Sequence, residues 1–136
     1  GGVCRLGRSD GRFAYHLAVV VDDAAMGVTE VVRGADLLDS TPRPLYLYHL
    51  LGLTPPVFYH FPLLLTADGR RLSKRNADAG LDVLRGRSSA PDILGKLAYL
   101  AGFNPSAAAR TAKELLADFD WDKVPAEDIR IPEGLF

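Results

Sequence analysis

Arg70, Arg71, Lys74 and Arg75 place four cations within six residues, with Leu72 as the apolar residue among them and Ser73 as a small hydrogen-bonding group. This density suits a polyphosphate, since guanidinium and ammonium groups donate charge-assisted hydrogen bonds to phosphate oxygens. A mobile lysine can also follow charge as it shifts in a transition state. Charge alone describes a solvated basic turn equally well, and such turns are the norm on protein surfaces. The residues ahead of the cations narrow the choice. Leu63, Leu64 and Leu65 form a short apolar run of the kind found in a buried strand, and Asp68-Gly69 has the composition of a tight reversal. Phe61 to Arg75, FPLLLTADGRRLSKR, therefore reads as a strand, a turn and a basic loop that the rest of the chain presents.

Composition bounds what that loop belongs to. The 136 residues fit one ordinary domain, and an apolar share of 48% is enough for a core. A formal net charge of -1 argues against a general nucleic-acid binder, so any RNA contact is local. The single cysteine, Cys4, excludes an internal disulfide, and nothing points to an oxidising compartment. No apolar run approaches the ~20 residues of a membrane span, so the reading is a cytoplasmic protein without a membrane partner.

The elements that must position the loop follow in order. Residues 1–12 are rich in glycine and arginine and read as a ragged start with a turn at Asp10-Gly11. Phe13 to Met26 carries Leu17, Val20, Val21, Ala24 and Ala25 at helical spacing, although its Ala-Val-Val-Val run also suits a buried strand. Gly27 ends it, and Val28 to Val32 reads as a strand that closes on Arg33-Gly34. Ser40 or Thr41 is placed to cap the next helix, with Pro42 and Pro44 in its first turn, Leu47, Leu50 and Leu51 on its buried face and Gly52 as its stop. Pro55-Pro56 breaks the chain before a strand over Val57 to Leu65. Beyond the basic loop, Gly80, Gly86, Ser88 and Ser89 read as a linker. Pro91 to Ala101 then has Ile93, Leu94, Leu97, Ala98 and Ala101 on one helical face, and Thr111-x-x-Glu114 is a capping box ahead of Leu115, Leu116 and Phe119. His16, His49 and His60 lack metal-ligand spacing and read as ordinary helix or strand residues. Asp22 and Asp23, adjacent on one element, point in different directions and read as structural.

Taken together, YHLAVVVDDAAMGVTEVVRGADLLDSTPR, the leucine-rich helix and FYHFPLLLTADGRRLSKR resemble the C-terminal half of the catalytic core of glutamyl-type class I aminoacyl-tRNA synthetases. Within that family the wording is most similar to short paralogues without an anticodon-binding domain. Arg71 to Arg75 matches the family's second signature, with Arg71 where Lys or Met is usual and Lys74 as its final lysine. The implied fold is α/β: the last strands of a Rossmann-like parallel sheet, a signature loop and a helical region. The implied division is residues 1–12 as a remnant of the zinc-binding segment, 13–80 as the second half of the nucleotide-binding catalytic domain, and 81–136 as a helical region.

The resemblance also implies roles. Activating glutamate joins its α-carboxylate to the α-phosphate of ATP and expels pyrophosphate, with Mg²⁺ accompanying the nucleotide. Tyr15 and Arg33 would bind L-glutamate, Lys74 would act catalytically on the phosphates, and Arg71, Leu72, Ser73 and Arg75 would contact ATP, with Leu63 and Leu64 beside the adenine. Each has a plainer alternative: a core aromatic for Tyr15, a surface ion pair with Glu30 or Asp36 for Arg33, and ordinary core for the leucines. Cys4 matches the last ligand of the family's Zn²⁺ site, whose other ligands have no counterpart here. The family's phosphate-binding His-Gly signature is likewise absent, so the implied active site is incomplete and this chain alone is expected to be inactive. The implied acceptor is the queuosine base of tRNA(Asp). Two alternatives remain: part of a glutamyl-tRNA synthetase that charges the tRNA 3′ end, against which Val19 stands where that enzyme usually carries Asn, or a non-catalytic ligand- or RNA-binding remnant.

Overall fold

The computed structural model describes residues 6–72 and 81–136, which form two compact units, one reaching to His60 and the other beginning at Phe61. In the first, helix α1 (Tyr15–Ala25) leads through Gly27, at φ 69°, to strand β1 (Glu30–Gly34). A 3-10 turn (Ala35–Ser40) follows, then helix α2 (Pro42–Leu50) and strand β2 (Val57–Phe61), which pairs with β1. The valine run of α1 is helical rather than extended. β-Branched residues cost a helix only a few tenths of a kcal/mol each, and burying Val20 completely against Leu47 and Tyr48 of α2 outweighs that.

The expected buried face of α2 is corrected at two of its three leucines. Leu47 is buried, but Leu50 and Leu51 are exposed and the third anchor is Tyr48. The helix ends at Leu50, so Leu51 lies outside the turn that would have carried it inward. The ragged start also has structure where it is described: Gly7 bridges Phe13, and Gly11 turns at φ 79°.

In the second unit the expected single strand over Val57 to Leu65 is interrupted. β2 stops at Phe61, and Leu64–Leu65 forms a separate strand, β3. Its partner is β4 (Ile129–Arg130), two residues in the C-terminal stretch that the sequence pattern assigns wholly to helix. The pair is parallel, in register Leu64 to Ile129 and Leu65 to Arg130, and the Asp128 carboxylate accepts from the Leu63 N–H at 2.8 Å. The expected linker contains helix α3 (Leu81–Arg85), and its Ser89 forms a capping box with Asp92 at the start of helix α4 (Ala90–Leu100). The Thr111–Glu114 box forms as expected and opens helix α5 (Ala112–Asp118), although Leu116 on that helix is exposed.

Gly95 decides how α4 packs. Asn104 is buried and donates through Nδ2 to the Ala108 carbonyl at 3.0 Å, drawing the following loop onto the helix. A Cβ on Gly95 would overlap that carbonyl oxygen. Gly to Ala inside a helix ordinarily gains up to ~1 kcal/mol, but overlap with backbone that cannot swing away costs about 3 kcal/mol. Gly95→Ala is therefore expected to lower the urea midpoint, and an unchanged or raised midpoint would show that the loop does not rest on the helix.

Candidate active site

Strand alternation turns Val31 and Arg33 of β1 to one side, and Phe58 and His60 of β2, also two apart, meet them there. The Arg33 guanidinium carbon sits 4.5 Å from the centre of the Phe58 ring. Its Nε donates to His60 Nε2 at 3.1 Å, and Nη2 donates to Thr41 Oγ1 at 2.5 Å and, at the limit of 3.5 Å, to the Leu37 carbonyl. The Thr41 hydroxyl donates to that same carbonyl at 3.1 Å. All these acceptors are neutral. Among the described residues Arg33 forms no ion pair, with Glu30, Asp36 or any other carboxylate, and nothing bonds its Nη1.

A cavity of about 140 Å³ opens beside this arginine, walled by Val19, Val20, Leu37 and Phe58, with Tyr15 and Tyr48 also on its lining. Tyr15 is 68% exposed, its ring edge-on to His16, and so is a rim residue and not a core aromatic. Tyr48 is the opposite case. Its hydroxyl is buried and has no hydrogen-bond partner among the described residues, and burial together with the charge of Asp23, which also lines the cavity, pushes its pKa up. The phenol therefore stays protonated and available as a donor. A partly buried cation with no ion pair among the described residues, beside walls that are mainly apolar, can receive a carboxylate, although Asp23 brings one negative charge to the same lining.

The second unit holds the expected turn. The Thr66 N–H donates to the Arg70 carbonyl and the Gly69 N–H to the Thr66 carbonyl, both at 2.8 Å, with Gly69 at φ 85°. Asp68 fastens the turn by accepting from the Thr66 hydroxyl and from Arg70 Nε. Those two hydrogen bonds, Thr66 first, hold its carboxyl at a pKa of about 2. Arg71 bridges back to Leu65, and the side chains of Leu64 and Leu72 meet in an apolar cleft with Leu84 and Ile93. Leu63 is half-buried, and its backbone bonds to Asp128 and Ile129. Ser73, Lys74 and Arg75 lie outside the described residues, as does Cys4, and no cluster of three or more potential metal ligands occurs among those described.

The description tRNA synthetases class I (E and Q), catalytic domain, matches residues 5–126, and the chain belongs to that family. It is 49% identical over 126 residues to the glutamyl-Q tRNA(Asp) synthetase of Symbiobacterium thermophilum, covering 92% of this chain and 39% of that protein. To the glutamyl-Q tRNA(Asp) synthetase of Nitratidesulfovibrio vulgaris it is 50% identical over 136 residues, covering 99% and 42%. The chain thus spans about two fifths of the length of these relatives. Among solved structures it is similar to a glutamate tRNA ligase from Elizabethkingia meningosepticum in complex with its amino acid. The TM-score is 0.75 at 26% identity, covering 96% of this chain and 30% of that one. The α/β architecture is thereby that of the family's catalytic domain.

The structure brings Tyr15 and Arg33 to one cavity, and Leu64 and Leu72 to one cleft. It adds Thr41, His60 and Asp23, which the sequence pattern assigned to a helix cap, an ordinary strand position and a structural pair. The two-residue spacing of Phe58 and His60 is the signal that marks them as one face of a strand.

Because Nε2 accepts from Arg33, His60 is neutral and carries its proton on Nδ1. Burial first, and the charge of Arg33 second, lower its pKa from the ordinary 6.5. A lowered histidine pKa stabilises the fold fully above pH 6.5, and that stabilisation is lost as pH falls through the folded value. In an NMR titration His60 is expected to protonate below pH 6.5, and Arg33→Ala is expected to move the midpoint upward. A midpoint at or above 6.5 in the parent would refute the bond to Nε2.

Proposed function

We propose that the protein activates L-glutamate with ATP and transfers the glutamyl group to the queuosine base of tRNA(Asp). One observation carries the amino-acid part: among the described residues Arg33 bonds to neutral acceptors and forms no ion pair, beside a cavity walled mainly by apolar side chains with Asp23 also on its lining. Its open Nη1 edge receives the glutamate side-chain carboxylate, and Tyr15 closes over the amino acid from the rim. The substrate's α-carboxylate oxygen attacks the α-phosphate of ATP, an oxygen–phosphorus bond forms, and pyrophosphate leaves with the bonding pair. Lys74 neutralises the charge that develops on the phosphates. Ser73, Arg71 and Arg75 position the triphosphate, and Leu63, Leu64 and Leu72 form the adenine side.

Mg²⁺, bound with ATP, adds positive charge at the phosphates. Zn²⁺ would fall to Cys4 in a longer chain, and no described residue is assigned to either ion. The names of the relatives at 49% and 50% identity support the tRNA(Asp) acceptor. A second reading, charging of the tRNA 3′ end, is favoured by the solved glutamate tRNA ligases at 26% and 28% identity. Val19 in the cavity wall offers no hydrogen bond where that enzyme usually carries Asn.

Three outcomes are expected in the full-length protein. Arg33→Lys keeps the charge but loses the fork, so it should raise the KM for glutamate in ATP–pyrophosphate exchange about tenfold more than the KM for ATP. Equal effects on both would remove Arg33 from the glutamate site. Lys74→Ala should slow adenylate formation in single-turnover experiments by about 10²–10³-fold, and Arg75→Ala far less, because an exposed flanking cation is screened and replaceable. If both variants lose only ATP affinity, to the same extent, the loop is a generic basic patch. Glutamylation of tRNA(Asp) that depends on queuosine supports the first acceptor, and charging of tRNA lacking queuosine supports the second.

A further inference from the structure

The residues around Arg33 include two whose chemistry the amino-acid reading does not use. Thr41 occupies the N-cap of α2, yet its hydroxyl makes no capping hydrogen bond and its backbone is helical at φ −56°, ψ −36°. The reason lies in the next three residues. A capping hydroxyl serves the N–H of the second or third helical position, and Pro44, at the third, has none. The hydroxyl of Thr41, a buried residue, accepts instead from Arg33 Nη2 and donates to the Leu37 carbonyl. His60 complements it from β2. Its Nε2 accepts a hydrogen bond from Arg33 Nε, and the Phe58 ring supports the guanidinium face.

Among the described residues these contacts occupy Nε and Nη2 and leave the Nη1 edge. They also fix the guanidinium plane without cancelling its charge, which a carboxylate in either position would do.

We propose that Thr41 and His60 are positioning residues that aim the Nη1 edge of Arg33 at the side-chain carboxylate of the amino-acid substrate, without touching the substrate themselves. The proposal rests on the assignment of Arg33 to the glutamate carboxylate. Without its two anchors the long arginine side chain keeps its charge but samples other rotamers, so the loss falls on affinity for that one substrate.

The test uses the full-length protein, with glutamate-dependent ATP–pyrophosphate exchange and thermal melting measured in parallel. Thr41→Val removes the hydroxyl at constant shape, and His60→Leu removes the acceptor. Each should raise the KM for glutamate about tenfold, the equivalent of one hydrogen bond to a charged group, while kcat and the KM for ATP stay within about twofold. Thr41→Ser restores the hydroxyl, and His60→Gln places an amide oxygen near the Nε2 position. Both should recover most of the parental KM. Should Thr41→Val not fold, the two His60 variants decide alone. If Arg33→Lys raises the glutamate KM but Thr41→Val and His60→Leu do not, the positioning role is wrong and the amino-acid site stands. If Arg33→Lys leaves the glutamate KM unchanged, the assignment of Arg33 itself fails. A parallel rise in both KM values that Thr41→Ser and His60→Gln do not recover, with lowered melting temperatures, would make Thr41 and His60 merely structural.

Discussion

A half-buried guanidinium with no ion pair among the described residues sets the design of the first unit. Removing such a charge from water is costly unless the protein replaces the lost hydration. Here the replacement comes from four directions: the Phe58 ring, His60 Nε2, the Thr41 hydroxyl and the Leu37 carbonyl. Each belongs to a different stretch of chain or a different point on one. β1 must therefore pair with β2 in the register that sets Phe58 and His60 opposite Arg33, and the 3-10 turn must deliver Leu37 just before α2 begins. The Val20, Leu47 and Tyr48 core holds α1 and α2 together behind this arrangement. It supplies the packing that keeps these polar contacts in place.

The second unit solves a different problem, how to reverse the chain ahead of a cluster of like charges. Asp68 does so by drawing its own partners from within the turn. Arg70 is thereby tied to a carboxylate 2.7 Å away, so the cations that look alike in the sequence are not equivalent. Surface pairs of this kind add little to stability, but this one fixes local geometry: it directs Arg71 back toward Leu65 and Leu72 into the apolar cleft. The strand on the entering side is short, and β4 steadies it through the Asp128 carboxylate as well as the ladder.

What the sequence discloses here is what short-range chemistry determines. Gly27 and Gly69 adopt the left-handed conformation that their turns require, and Thr111 with Glu114 forms its box, because each depends on residues three or fewer positions away. The same logic applied to Ser89 and Asp92 would have started α4 correctly and removed the supposed linker. Two-residue strands carry no periodicity, so β4 is visible only through its partner 65 residues earlier. The leucines misled for a related reason. Leu50 sits on a helix whose inward direction is fixed by neighbours distant in sequence, and leucine content does not report that direction. In the site, the family resemblance and not residue type singled out Arg33 and Tyr15, whereas Thr41 and His60 reach Arg33 through contacts that span 8 and 27 residues.

The prolines at the start of α2 have an effect beyond the helix they begin. Pyrrolidine rings fix φ at Pro42 and Pro44 in the unfolded chain as well as the folded one, so the backbone that carries Thr41 has few conformations to lose. An arginine side chain otherwise retains about 2 kcal/mol of rotamer entropy that a ligand must remove when it docks. Here that ordering is completed as the protein folds, so a carboxylate bound by Arg33 as proposed would not have to supply it, and the rigidity would come from a proline-rich turn one residue away.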